Sequence, residues 1–287
     1  MVNVGEISNK GLEVSLTGTA ISTPDFTWTT RLNYSSNTSK LVSLDANVPE
    51  LIFYESQGSA VRVSAKPGQK LGDIMVYPRA TNAAGQFLIN DDGLYVIDKS
   101  RYVIGGNILP KAIGGLTNTF RYKSWTFDFT ADYRFGGQMV SAPLKYAMGT
   151  GQYENTLALR ETGITLEGVN ETTGAVNTKH LTGAEFYMNE YDDGNNAWNE
   201  KAMIFDNSFI KMREAIIGYT VNDRFAKKIG MTNLRFSLIG RNLFYFWKTI
   251  DNLDPEAPVG NQWYSQGIDM GSTAATRSFG ISLNAKF

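Results

Sequence analysis

Apolar and polar residues alternate strictly at the end of the chain. Over 276–287, Phe279, Ile281, Leu283, Ala285 and Phe287 fall on one parity, and Ser278, Gly280, Ser282, Asn284 and Lys286 on the other. Side chains of a strand point alternately to its two faces, so this segment predicts a strand with one apolar and one polar face. Residues 11–20 repeat the pattern, with Leu12, Val14 and Leu16 against Glu13, Ser15, Thr17 and Thr19. So do 26–34, with Phe26, Trp28, Leu32 and Tyr34 against Thr27, Thr29, Arg31 and Asn33. In 125–135 the aromatics Phe127, Phe129, Tyr133 and Phe135 oppose Asp128, Thr130, Asp132 and Arg134. Further strands are predicted at 60–66, 71–77, 114–122, 207–221 and 233–247, with a helical turn at 224–229. Pro24, Pro67-Gly68 and Asn90-Asp91-Asp92-Gly93 mark turns between or within these segments.

These nine strands separate two kinds of connection. Counted from the end where Phe287 finishes, 21–25, 67–70, 123–124 and 222–232 lie on one side and are short. On the other side 35–59, 78–113, 136–206 and 248–275 are long. A soluble β-sandwich alternates in the same way but has no reason to sort its connections by length. A bacterial outer-membrane barrel does, with short periplasmic turns and long extracellular loops. The expected fold class is therefore all-β: about nine or ten antiparallel strands of a large transmembrane β-barrel, in the cell outer membrane and in contact with its lipid. Single-chain barrels close with an even number of strands, and large outer-membrane transporters have about 22 around a plug. Residues 1–287 are thus expected to be the C-terminal part of such a barrel, without its plug domain and N-terminal strands.

Composition fits and narrows this. Hydrophobic residues make up 42% and charged residues 19%, too apolar for a disordered chain. No run approaches the roughly 18 apolar residues of a membrane-spanning helix. A formal net charge of −1 gives no reason to expect nucleic acid as a partner. Cysteine is absent, which excludes disulfides, cysteine-ligated zinc and thiol catalysis. Met1 to Glu6 lack the basic region and apolar core of a secretion signal, so the natural start is expected upstream.

Candidate chemistry is sparse. His180 is the single histidine, sits beside Lys179 in a polar loop, and has no Gly-x-Ser-x-Gly elsewhere to serve; no catalytic residue is expected. Residues 191–196 (Tyr-Asp-Asp-Gly-Asn-Asn) are rich in oxygen but lack the alternate spacing and late glutamate of a calcium loop. They read as a solvated turn. No metal site and no cofactor are expected, nor is a phosphate-binding glycine loop present. The loop aromatics are the candidates for ligand or lid contact: Tyr187, Tyr191 and Trp198 in one long loop, Trp263 and Tyr264 in another. Such rings stack on sugars or anchor a protein partner, or else pack their own loop. Trp28, Tyr34, Trp125, Tyr133 and Tyr219 read as an interface girdle. Arg31, Asp128, Asp132, Arg134 and Arg235 should face the lumen.

Several segments together resemble the C-terminal barrel of SusC/RagA-type TonB-linked outer-membrane proteins. They are Gly-Glu-Ile-Ser-Asn-Lys-Gly-Leu-Glu at 5–13, Gly-Asn-Ile-Leu-Pro at 106–110, Gly-Gly-Leu-Thr-Asn-Thr-Phe-Arg-Tyr at 114–122 and Asn-Ser-Phe-Ile-Lys-Met-Arg-Glu at 207–214. Gly-Tyr-Thr at 218–220, Leu234-Arg235, Gly240-Arg241-Asn242-Leu243-Phe244, Asp254-Pro255-Glu256 and the terminal Phe287 complete the set in order. The resemblance implies import of a nutrient, a glycan oligomer in the first instance and otherwise a peptide. It implies a SusD-like lipoprotein partner on the extracellular side. It also implies energy from the TonB complex, delivered through the missing N-terminal part. Phe279, Ile281, Leu283 and Phe287 would form the barrel-insertion signal. A siderophore or vitamin receptor of the same barrel class, and a non-transporting adhesin or structural barrel, are the alternatives.

Overall fold

A computed structural model describes residues 5–55, 61–192, 204–257 and 262–287. The wall is one antiparallel meander of seven strands, each paired with its neighbours in chain order. They are β1 (Gly5–Ser22), β2 (Phe26–Leu44), β3 (Ala112–Tyr122), β4 (Trp125–Phe135), β5 (Phe209–Thr220), β6 (Asn233–Lys248) and β7 (Ser278–Lys286). Register keeps every apolar parity on one face. Across the sheet run the rows Val14–Tyr34–Gly114–Tyr133–Ile210–Trp247 and Leu16–Leu32–Leu116–Ala131–Met212–Phe244. The opposite face carries Ser15, Asn33, Asp132 and Lys211 in neighbouring register.

The apolar face is bare. Leu16, Leu238 and Ile281 expose 61%, 60% and 80% of their surface, which no water-soluble sheet would leave uncovered. β4, at 11 residues, is the length that a strand tilted by about 45° needs to cross the hydrocarbon layer. Trp125 and Tyr219 pack together at its short-turn end, and Tyr133, Phe135 and Trp247 gather at the other. Of the residues expected as a girdle, Trp125 and Tyr219 are thus at one end of this face and Tyr133 at the other. The amide side chain of Asn118, in register with Thr30, lies among these outward rows, and its Oδ1 accepts from Trp28 Nε1 at 2.8 Å. That pairing avoids an unsatisfied amide facing hydrocarbon.

Gly114 permits a close approach on the same face. The Tyr133 ring lies over it and donates its hydroxyl to the Asn33 carbonyl, 3.1 Å away on the next strand. A side chain at Gly114 would run into both groups. Gly218 does the same on the lumenal face, where Arg235 crosses above it to reach Thr126 Oγ1 at 2.7 Å.

The connections sort more sharply than the sequence suggested: 23–25, 123–124 and 221–232 are short, and 45–111, 136–208 and 249–277 are long. The count of nine strands is corrected to seven in the wall. The segments predicted at 60–66 and 71–77 are Val61–Ala65 and Asp73–Val76, the two inner strands of a four-stranded sheet with Leu51–Glu55 and Val103–Asn107. They belong to the first long loop, so the turn at 67–70 lies on the long-loop side. The helical turn is present as Asp223–Lys228, capped by Asn222.

The long loops are folded and sewn together. Leu88–Ile89 of the first pairs in parallel with Val169–Asn170 of the second, and Gln138–Ser141 of the second pairs in parallel with Ile268–Asp269 of the third. Residues 136–206, expected to hold no strong strand, carry the helices Ala142–Gly149 and Gly183–Tyr187. The first starts on the Ser141 hydroxyl, and the second on a Thr182/Glu185 capping box. The buried core is here, not in the wall. Val61, Val63, Ile74, Val76 and Ile108 meet Val140 and Ile268, so all three loops share one core.

Candidate functional site

An open concavity of about 1440 Å³ lies on the inner face of the wall, bordered on its upper side by the third long loop. Glu13 and Asn33 line one side, Asp132, Arg134 and Arg213 the other, and Glu256 the upper border. Strand parity explains the first four. Arg213 arrives by a different route: a register shift between Met212 and Glu214 adds one residue to β5, and Arg213 turns into the lumen there.

Arg213 then ties wall to loop. Its Nε donates to Asp132 Oδ2 at 2.5 Å, and Nη2 and Nη1 donate to the two Glu256 oxygens at 2.7 and 3.1 Å. This is the planar two-point pairing that guanidinium makes with carboxylate. Lys211, almost fully buried, donates to Glu256 Oε2 at 2.5 Å and to the Tyr245 hydroxyl at 3.1 Å. The Tyr245 hydroxyl donates to Asp254 Oδ1, which also accepts the Glu256 amide at 3.0 Å. Asp254 Oδ2 takes the Ala275 amide at 2.9 Å, and Asn242 Nδ2 reaches the Thr276 carbonyl at 3.2 Å. Both ends of loop 249–277 are thereby fastened to the wall.

Burial acts to raise both loop carboxyls. Hydrogen bonds from Arg213 and Lys211 outweigh it at Glu256, and those from Tyr245 and the Glu256 and Ala275 amides outweigh it at Asp254. Both carboxyls end below their ordinary values of 4.5 and 3.8. A lowered folded-state value means the fastening contributes fully above the ordinary value and is lost as pH falls through the lowered one. We expect proteolytic cleavage within 249–277 of the folded receptor to stay slow from pH 8 to about 5 and to accelerate below about 4. Cleavage that is flat down to pH 3 would contradict this account.

Of the lumenal residues expected from parity, Asp132, Arg134 and Arg235 are placed as anticipated. Arg134 Nη2 donates to the Ile108 carbonyl at 2.8 Å. Arg134 Nε and Asn207 Oδ1 are buried without a protein partner, and both residues line the cavity. Lys211, Arg213, Tyr245 and Glu256 were missed. Their pairing spans up to 45 residues of sequence, and the motifs at 207–214 and 254–256 held Lys211, Arg213 and Glu256 without showing that they meet.

The loop aromatics fall into two groups. Tyr187 is buried against Phe186 and Tyr191, at centroid distances of 5.1 and 6.0 Å, and donates to the Asn155 carbonyl at 3.2 Å. Burial pushes the Tyr191 phenol up to about 12, with the Glu190 carboxylate adding to it. Trp263 sets its edge on Phe53 at 4.6 Å and on Tyr264 at 5.8 Å. Trp198 lies outside the described residues, as does most of the oxygen-rich turn at 191–196. Among the described residues no cluster of three or more metal-ligating side chains occurs. His180 spends its two nitrogens on Thr165 Oγ1 (3.1 Å) and the Thr162 carbonyl (3.0 Å), a role within its loop. Phe279, Ile281, Leu283 and Phe287 all stand outward on or beside the edge strand β7, 60–81% exposed.

No protein-family model matches the chain. It is 25% identical to the TonB-dependent receptor P3 of Formosa agariphila over 99% of its own length and 29% of that protein's. It is 22% identical to the TonB-dependent receptor SusC of Bacteroides thetaiotaomicron over 99% of its length and 27% of that protein's. Among solved structures, the RagAB peptide transporter superposes with a TM-score of 0.62 at 15% identity, covering 98% of this chain and 29% of the other. The chain thus spans under a third of the length of the relatives it matches. With its outward apolar meander, short turns at one end and folded loops at the other, the chain is similar along its whole length to part of the barrel of SusC-type TonB-dependent receptors of the outer membrane.

Proposed function

We propose that residues 1–287 form the C-terminal part of the barrel of a TonB-dependent importer that takes up an oligomeric nutrient with a SusD-like lipoprotein partner. The observation that carries this is an open, charge-lined concavity on the inner face of the wall, covered on one side by interlocked loops. The two free edges of the sheet support the rest. Unpaired backbone does not persist in lipid, so further strands of the receptor complete the barrel around a plug through which the TonB complex acts. Phe279, Ile281, Leu283 and Phe287 serve as its barrel-insertion signal. The protein is a transporter, not an enzyme.

The aromatics divide by place. Trp263 and Tyr264 belong to the same turn as Gln266, which lines the cavity, and are assigned to the cargo path. Tyr187, Tyr191 and Trp198 are assigned to the outer loops that receive the lid. There Tyr146, Leu157 and Met188 are more than half exposed, an apolar surface suited to a protein partner.

A glycan oligomer is the first reading for the cargo. The charged lining of Glu13, Asp132, Arg134 and Arg213 favours a peptide as the second. Growth of a receptor deletion strain on glycan or on peptide mixtures as sole carbon source, with and without the intact gene, separates them. Restoration on one, and its loss in a strain lacking TonB, is the expected result. Equal growth of the deletion strain on every substrate tried would remove the transport assignment.

A further inference from the structure

Three lysines form a patch on the outer face of the barrel. On β1 the lipid-facing column Leu16, Val14, Leu12 continues upward to Lys10 without a register shift. On β2 the matching column runs from Leu32 and Tyr34 to Lys40. Lys10 pairs with Thr38, and Lys40 with Ser8, so the two lysines lie diagonally on adjacent strands. Beyond its pairing with β3, the free edge of β2 takes up residues 68–71 of the first long loop. The Leu41 amide donates to the Gln69 carbonyl and the Leu71 amide to the Ser39 carbonyl, both at 3.0 Å. Those two bonds flank the pair Lys40–Lys70. Such a non-hydrogen-bonded pair brings its side chains closest, on one face of the sheet. Leu41, Ser39 and Leu71 point inward and are buried, while Lys10, Lys40 and Lys70 are exposed on the outside.

Like charges directly opposite one another destabilise a sheet. Here two are opposite and a third is diagonal to them, and no carboxylate among the described residues comes within 4 Å of any of the three. Glu6, the next acidic residue on β1, makes no ion pair with them. Asp73 lies near Lys70 but is buried in the loop sheet and bonded to Asn107. The height of the patch identifies what meets it. With strands rising about 3.4 Å per residue and tilted by about 40–45°, each two-residue step climbs about 5 Å. Lys10 then stands about 5 Å above Leu12, and the Lys40–Lys70 pair about 10 Å above it, at the level where headgroups begin.

We propose that Lys10, Lys40 and Lys70 form a binding site for the phosphate groups of the phosphorylated glycolipid in the outer leaflet, whose acyl chains lie along Leu12, Val14 and Leu16. A diphosphorylated headgroup supplies the missing counter-charge across three strands, and its chains cover a face that is otherwise bare. The bound lipid clamps the first long loop to the wall, because Lys70 belongs to the loop and Lys10 to the barrel. Each lysine near an anionic lipid surface changes affinity about fivefold, so loss of all three weakens binding on the order of a hundredfold.

The intact receptor and its Lys10→Gln/Lys40→Gln/Lys70→Gln variant, both shown to be folded by heat-modifiable gel mobility, are titrated in detergent. The probes are diphosphoryl lipid A, enzymatically dephosphorylated lipid A and inorganic phosphate, and native mass spectrometry counts the adducts. Tight binding of the diphosphoryl form by the parent alone is expected, with no displacement by millimolar phosphate. Equal binding by parent and variant, equal binding of the dephosphorylated lipid, or displacement by phosphate would overturn the proposal. The single variant Lys40→Gln adds a change of sign. It should raise the unfolding temperature in lipid-free detergent, where repulsion is relieved, and lower it in vesicles containing diphosphoryl lipid A. A shift of the same sign in both media counts against the site.

Discussion

Replacing Glu256 by alanine should release the third long loop from the barrel and lower the stability of the receptor by about 3 kcal/mol. The size follows from what the substitution leaves behind. Lys211 has 3% of its side chain exposed and would keep a buried ammonium with only the Tyr245 hydroxyl as partner, while Arg213 would retain Asp132 and the Asn242 side-chain oxygen. Removing one member of a buried pair costs about 3–5 kcal/mol, and the partial exposure of Glu256 and Arg213 places this case at the lower end. Glu256→Gln keeps a hydrogen-bonding oxygen and should cost about half as much. Lys211→Met combined with Glu256→Ala should recover most of the loss, because no unpaired charge then remains. Denaturant unfolding of the intact receptor in detergent, with proteolysis of 249–277 as the local readout, tests the series. A Glu256→Ala receptor that unfolds within 0.5 kcal/mol of the parent would sink the account.

Valine at Gly114 should be nearly as damaging, at about 2–3 kcal/mol, for a steric reason. A Cβ there would collide with the Asn33 carbonyl oxygen, which is backbone and cannot step aside, and with the Tyr133 hydroxyl above it. Tyr133→Phe should cost only about 1 kcal/mol, the worth of its bond to Asn33. Adding Tyr133→Ala to Gly114→Val should relieve only part of the strain, since the carbonyl remains. The fraction of folded receptor that survives heating before electrophoresis ranks the variants. Tolerance of Gly114→Val at parental temperature would show that the β2–β3 backbone can open, contrary to the register described.

The wall was legible because lipid outside and water inside impose opposite polarities on alternate residues, and Leu12, Leu16, Phe127 and Ile281 follow that rule. Val61–Ala65 and Asp73–Val76 were placed in the wall for the same strand-like composition, yet nearly every residue in them is buried on both faces. Nothing local distinguishes such segments from wall strands; the distinction lies in the partner layer, formed by Val140 and Ile268 from distant loops. Asp132 was legible as lumenal, but its partner was not. Arg213 reaches the lumen only through a register shift, which breaks the parity from which positions were read. The aromatic positions told of rings in loops but not of their neighbours. Phe53 and Trp263 meet across more than two hundred residues of chain, a contact no spacing announces.

The joint between β2 and residues 68–71 has an engineering consequence. β2 runs for 19 residues, and after its pairing with β3 ends at Ser35 the same edge pairs with the first long loop from Ser39 to Leu41. Barrel and loop are therefore spliced, as two planks sharing one batten, and the obvious cut points at 45 and 111 do not separate them. A loop transplanted from a relative at those points would arrive without the Gln69, Leu71 and Lys70 complement to Leu41, Ser39 and Lys40. Chimeras that exchange recognition loops between such receptors should take the upper third of β2 with the loop, and force applied to the loop should be felt in the tilt of the wall.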